Sequence, residues 1–174
     1  MKLSVTSLIF IGSVALIATG CKKDNEYGNM TVKMTDAPGD YHEVNVDVRT
    51  VEVHYADNGT WTNLSTQSGV YNLLDLQNNI TMVLATGTHI PAGKVTQVRL
   101  LLGSNNTVML RDSTIHALKI PSSEQSGLKI NVNAVIPPAG TVTVTIDYDA
   151  DKSVNREGNG DYIMKPVIKV LSIL

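Results

Sequence analysis

The sequence predicts an all-β protein: a single antiparallel β-sandwich of about ten strands with at most one short helix. Three observations carry this. From Met30 onward apolar and polar residues alternate with a period of two almost everywhere, the pattern of strands with one face on a core. Clusters of Gly, Pro, Asn and Asp break the alternation at roughly the 8–12-residue spacing of sandwiches. No repeat of solenoid length is visible.

The elements follow in order. Met30, Val32 and Met34 alternate with Thr31, Lys33 and Thr35, and Asp36-Ala37-Pro38-Gly39-Asp40 ends that strand in a turn. A long strand over 43–55 comes next. Val44, Val46 and Val48 share one face, and Val51, Val53 and Tyr55 rejoin it only if a bulge near Arg49-Thr50 shifts the parity. Asp57-Asn58-Gly59 predicts a hairpin, because Asn-Gly suits positive φ, and residues 60–64 return with Trp61. A short strand is expected over 70–76. Residues 77–86 fit either a strand or a short helix, since Ile80, Val83 and Leu84 match helical spacing.

Pro91-Ala92-Gly93 turns the chain into a strand over 94–102. Strands over 107–111 and 114–120 follow through tight turns, which predicts a three-stranded meander. Beyond the polar loop 122–126, Leu128, Ile130 and Val132 alternate. Pro137-Pro138-Ala139-Gly140 then precedes Val142, Val144, Ile146 and Tyr148. Residues 149–160 read as a long acidic loop. The closing strand, 162–174, reads as central, with Pro166 demanding an edge segment or a bulge.

The N-terminus carries an address. Lys2 precedes an apolar run over 8–17, and small residues lead into Cys21. That is the pattern of a secretory signal, too short to span a membrane, which needs roughly 20 apolar residues. Ala18-Thr19-Gly20-Cys21 resembles a bacterial lipobox, with Ala18 a looser choice than the usual leucine, so Cys21 is expected to be lipidated after cleavage. Residues 1–20 are then the signal, 21–29 a lipidated tether and 30–174 the β domain. The lysine-then-acid run after Cys21 resembles a surface-export signal, and the expected location is the cell envelope, as a surface-exposed outer-membrane lipoprotein. Two or more acyl chains, at about 0.8 kcal/mol per buried methylene, hold a protein durably.

Without residues 1–20 the chain has 154 residues, 13 basic and 16 acidic, a net charge of −3. That length suits one domain, and that balance argues against nucleic acid. Cys21 is the single cysteine, so no disulfide can staple the fold. One tryptophan remains and the only phenylalanine, Phe10, lies in the signal, a scarcity that weighs against sugar-stacking surfaces.

Several segments together resemble a known family: Thr35-Asp36-Ala37-Pro38, Val51-Glu52-Val53-His54, Leu73-Leu74-Asp75-Leu76, Gln97-Val98-Arg99-Leu100, Gly103-Ser104-Asn105-Asn106, Ser126-Gly127-Leu128-Lys129, Asp147-Tyr148-Asp149-Ala150 and Lys165-Pro166. The chain is similar over nearly its whole mature length to the domain of unknown function 4382 family of bacterial lipoproteins. The resemblance implies a carbohydrate-binding-like or prealbumin-like β-sandwich on a secreted, anchored protein. It implies no activity and transfers no functional residue.

Three constellations bear on chemistry. Asp147, Asp149 and Asp151 would share a face if their strand continued, and such a run can offer calcium several of its six to eight oxygens. It is no EF-hand, since Lys152 and Gly158 stand where glycine and glutamate are needed. The bland account, a solvated acidic loop balanced by Lys152 and Arg156, is favoured. Asp47, Arg49, Glu52 and His54 line the water-facing side of the long strand, where His54 with Glu52 or Asp47 could form an acid–base pair; an ordinary charged sheet surface is favoured. Asp36, Asp75, Asn105 and Asn106 sit in turns, where they either stabilise backbone or form a binding rim at one end of a sandwich. His42, His89 and His116 lack zinc-ligand spacing, and no G-x-S-x-G or H-E-x-x-H motif occurs. The expected protein is a non-catalytic envelope lipoprotein that binds a glycan or an envelope protein, with calcium as the one conceivable cofactor. The competing expectation is a structural or adhesive module.

Overall fold

A computed structural model describes residues 26–121 and 126–174. The signal, Cys21 and the start of the tether lie outside the described residues. The chain is mostly β, in two sheets. The first contains β1 (Tyr27–Thr35), β4 (Ser65–Thr66), β6 (Met82–Pro91), β11 (Thr141–Tyr148) and β14 (Ile168–Ile173), in the order β14-β11-β1-β6-β4. The second contains β2 (Glu43–Tyr55), β3 (Trp61–Asn63), β5 (Gly69–Asn72), β7 (Gly93–Leu102), β8 (Thr107–Met109), β9 (Ile115–Lys119), β10 (Leu128–Ile136), β12 (Val154–Arg156) and β13 (Tyr162–Met164). One helical turn, α1 (Ala150–Ser153), and one 3-10 turn, Leu73–Leu76, complete the described elements.

Alternation builds these strands as expected. In β10, Leu128, Ile130, Val132, Ala134 and Ile136 are buried and the residues between them are exposed. In β2 all six expected core residues are buried, and the pairing with β7 shifts register between Val48 and Thr50, where the bulge is needed. Gly59 at φ +63 closes the β2–β3 hairpin, a left-handed conformation that glycine adopts without cost.

The single antiparallel arrangement needs correction. β1 pairs parallel with β11, Asn29 to Thr35 against Thr141 to Asp147, and β13 pairs parallel with β9. Side-chain alternation reports which face is buried, not which strand lies alongside, so partners so distant in sequence leave no periodic trace. There are fourteen strands among the described residues rather than about ten: β4, β6 and β12 are added, the closing segment splits in two, and three expected segments change character. The 70–76 strand becomes β5 plus the 3-10 turn, the acidic loop contains α1 and β12, and the closing strand breaks around Pro166. A proline donates no ladder hydrogen bond. β13 before it stays with the second sheet, and β14 after it becomes an edge of the first. The ambiguous 77–86 segment resolves toward strand: β6 begins at Met82 and pairs with β1. β1 itself starts at Tyr27, three residues before the expected boundary.

β2 is the hub of the second sheet. Val48 pairs with both Leu102 of β7 and Gly69 of β5, and Asn45 pairs with both Asn72 of β5 and Thr107 of β8. β7 and β8 therefore share one edge of β2, and β5 holds the other with β3. The expected meander is thus partial: β8 pairs with β9, but β7 and β8 run one after the other along β2.

Candidate functional site

The water-facing side of β3, β2, β7 and β10 forms a continuous polar patch. Register sets Asn63, Glu52, Arg99 and Lys129 in one row across the sheet, and Trp61, His54, Gln97 and Asn131 in the next. Their inward neighbours Val51, Val53, Val98 and Ile130 are core residues, so the backbone beneath the patch is pinned by packing. Arg99 ion-pairs with Glu52, and its guanidinium carbon lies 4.0 Å from the centre of the Trp61 ring, within cation–π range. The His54 ring tilts against the same Trp61 ring, 5.0 Å between centroids at 56°, and its Nδ1 shares a 2.9 Å hydrogen bond with Thr96 Oγ1. Gln97 Nε2 donates to Asn131 Oδ1 at 2.9 Å. No hydrogen bond joins His54 to Glu52 or Asp47 among the described residues. Glu52 is held by Arg99 instead, so the less favoured acid–base pair is not assembled.

Asp47 corrects the sequence reading more sharply. It is fully buried, not water-facing, because residues 103–106 fold over it. Gly103 N–H donates to its carbonyl at 2.7 Å, and its own N–H donates to Asn106 Oδ1 at 2.8 Å. Its carboxylate accepts from Asn105 N–H at 3.2 Å and from Arg49 Nη2 at 2.7 Å. Asn106 Nδ2 returns to Gly103 O at 2.7 Å. Asn105 and Asn106 thus shape the chain's passage from β7 to β8.

The other two rim candidates meet elsewhere. Asp36 N–H donates to Leu76 O at 3.1 Å, which joins the end of β1 to the 3-10 turn that carries Asp75. Asp75 is exposed and accepts from Asn72 Nδ2 at 3.0 Å. Asp36 is buried, and its Oδ1 accepts from Ala150 N–H at 2.9 Å. Its Oδ2, Asp147 Oδ1 and Gln77 Nε2 are buried without a partner at hydrogen-bond distance. Burial pushes the Asp36 carboxyl up to about 7. The Ala150 N–H and the nearby Gln77 amide oppose that rise, and the charges of Asp147 and Asp149 add to it.

The three candidate calcium carboxylates do not lie on one strand. β11 ends at Tyr148, and Asp149 becomes the N-cap of α1, its Oδ1 accepting from Lys152 N–H at 3.1 Å. Asp147 ion-pairs with Lys169 at 3.0 Å and Asp149 with Lys152. Burial alone would raise Asp149, but the Lys152 side chain and backbone bonds, with the Lys152 and Lys169 charges, hold it below the usual carboxylate range. Asp151 is exposed, near Asp40 N at 3.5 Å. Among the described residues no three His, Cys, Asp or Glu side chains are grouped to hold a metal. His89 stacks on Tyr27 and His116 leans on Tyr162.

Trp61, Arg99, Gln97 and Asn131 were not among the candidate site residues of the sequence. Their signal was available only through register, which places them beside Glu52 and His54. The fold and this patch define a mostly-β protein of two sheets around a shared core, with an arginine–tryptophan centre on one outer face. Residues 27–166 match the family described as Domain of unknown function (DUF4382), and the chain belongs to that family. No curated protein and no solved structure matches it.

Proposed function

We propose that this is a non-catalytic, lipid-anchored protein of the cell envelope, displayed outward, whose two sheets stack as one sandwich and bind a glycan or a protein partner at the cell surface. The observation that carries this reading is the Trp61–Arg99–Glu52 assembly on the outer face of the second sheet. Tryptophan and arginine dominate the energetics of recognition surfaces, and an aromatic ring beside amide and charged hydrogen-bonders suits a hydroxyl-rich, amphipathic ligand. The row Trp61, His54, Gln97 and Asn131 supplies both features on backbone that needs no rearrangement.

Trp61 is the sole tryptophan, so fluorescence excited selectively at tryptophan, beyond tyrosine absorption, reports on this patch alone. Titration with surface oligosaccharides should shift or quench its emission saturably. Emission that stays constant across oligosaccharides retained by the protein would place binding elsewhere. A protein that retains no soluble ligand would favour the structural or adhesive alternative.

A further inference from the structure

The strand directions give the domain two unlike ends. The chain enters at Glu26, where β1, β7 and β11 begin and β2, β6, β10 and β14 finish. Backbone bonds tie this end together: Ala92 N–H to Glu26 O at 2.7 Å and Ala139 N–H to Tyr27 O at 2.8 Å. Between them lies a shallow trough of about 630 Å³, walled by Tyr27, Pro91, Ala92, Val135 and Pro138. Among the described residues lining it, only Glu26 is charged at neutral pH. Tyr27 is 40% exposed and Val135 59%, although both are large apolar side chains. Exposed Asp57 and Lys94 flank the trough where β2 finishes and β7 begins, and the opposite end, where β1 finishes and β2 begins, carries exposed Asp40, Asp75, Arg111 and Asp151 beside Ile80 and Met82.

We propose that the trough end is a lipid-seating surface: Tyr27, Pro91, Val135 and Pro138 rest in the headgroup region of the bilayer that holds Cys21. The inference rests on the reading of Cys21 as the lipidated anchor. Cys21 precedes Glu26 by five residues, and at no more than about 3.6 Å per residue the trough lies within roughly 18 Å of the anchored cysteine. So short a link holds the trough at a high effective concentration beside the surface, where a few weak contacts suffice. Tyrosine rings favour the membrane–water boundary, and apolar side chains of this kind bury shallowly among the headgroups. Seating leaves the Trp61 patch facing sideways and the Asp36–Asp151 end outermost.

The test is hydrogen exchange of the full mature protein, with whatever Cys21 carries, on phosphatidylethanolamine–phosphatidylglycerol vesicles. The Cys21→Ser chain in solution is the reference. Peptides spanning 26–29, 90–94 and 134–140 should exchange several-fold more slowly on vesicles, with 72–78 unchanged. Val135→Asp, at an exposed position, should remove that protection without changing the melt. Equal exchange on and off vesicles, or protection indifferent to Val135→Asp, overturns the seating surface. Intact mass decides the anchor separately. If Cys21 bears a free thiol the anchor reading fails, and the same exchange experiment on protein coupled through that thiol to maleimide lipid then decides the seat by the same two outcomes.

Discussion

Asp36 shows how a single turn residue can govern stability. In the unfolded chain it ionises near 3.8, and in the folded protein burial pushes that to about 7. A carboxyl whose folded pKa is raised contributes stability that is fully present below pH ~3.8 and lost as pH rises toward ~7. Asp36→Asn keeps the acceptor for Ala150 N–H and removes the buried charge. The variant should therefore lose less stability than wild type between pH 4 and 7, by up to a few kcal/mol. Urea unfolding at both pH values measures it; parallel losses in the two proteins would contradict the assignment. Taking the difference between proteins cancels groups such as Asp149, whose lowered pKa acts oppositely and costs stability as pH falls.

Asp36 and Asp47 also show where sequence reading stopped. Both belong to recognisable patterns, a turn and an outward strand position, and both turn out buried. Burial of Asp47 comes from residues 103–106, more than fifty positions away, and nothing in the local alternation announces it. Trp61 was visible, but its Arg99 partner was not, because only the β2–β3 and β2–β7 registers together bring them onto one face.

Among the elements, β2 was the most legible. Its six core residues and its bulge follow from parity alone, since one buried face leaves no other register. What crosses over β2 is set by tertiary fit. A Cβ on Gly103 would collide with the Asp47 carboxylate and the Arg49 side chain. Gly103→Ala should cost about 1–3 kcal/mol, the range of overpacking, read as a lower urea midpoint; an unchanged midpoint would mean that the crossing is loose. α1 supports a second expectation. Because Asp149 caps α1 and the lysines answer Asp147 and Asp149, melting curves in millimolar calcium and in chelator should coincide. A rise in melting temperature with calcium would restore the ion to this loop.

For the whole molecule, the β class and single core were readable because a period of two persists through most of the chain. The parallel pairings, the split at Pro166 and the division of strands between two sheets were not, because they depend on which distant strands pack side by side. The same long-range order creates the functional geometry. It gathers Trp61, Glu52, Arg99 and Asn131 from four strands onto one face, and it sets the apolar-walled trough beside the tether, at the end opposite Asp40, Asp75 and Asp151.

Recognition of a surface ligand by the Trp61 face is decided by a broad glycan array probed with wild type and Trp61→Ala. Trp61 is half-buried on the outer face, so thermal melting must first show the variant folded. Specific retention of wild type, with at least a tenfold loss in the folded variant (about 1.4 kcal/mol), is the predicted result. Equal retention of both proteins on the same glycans would contradict the claim.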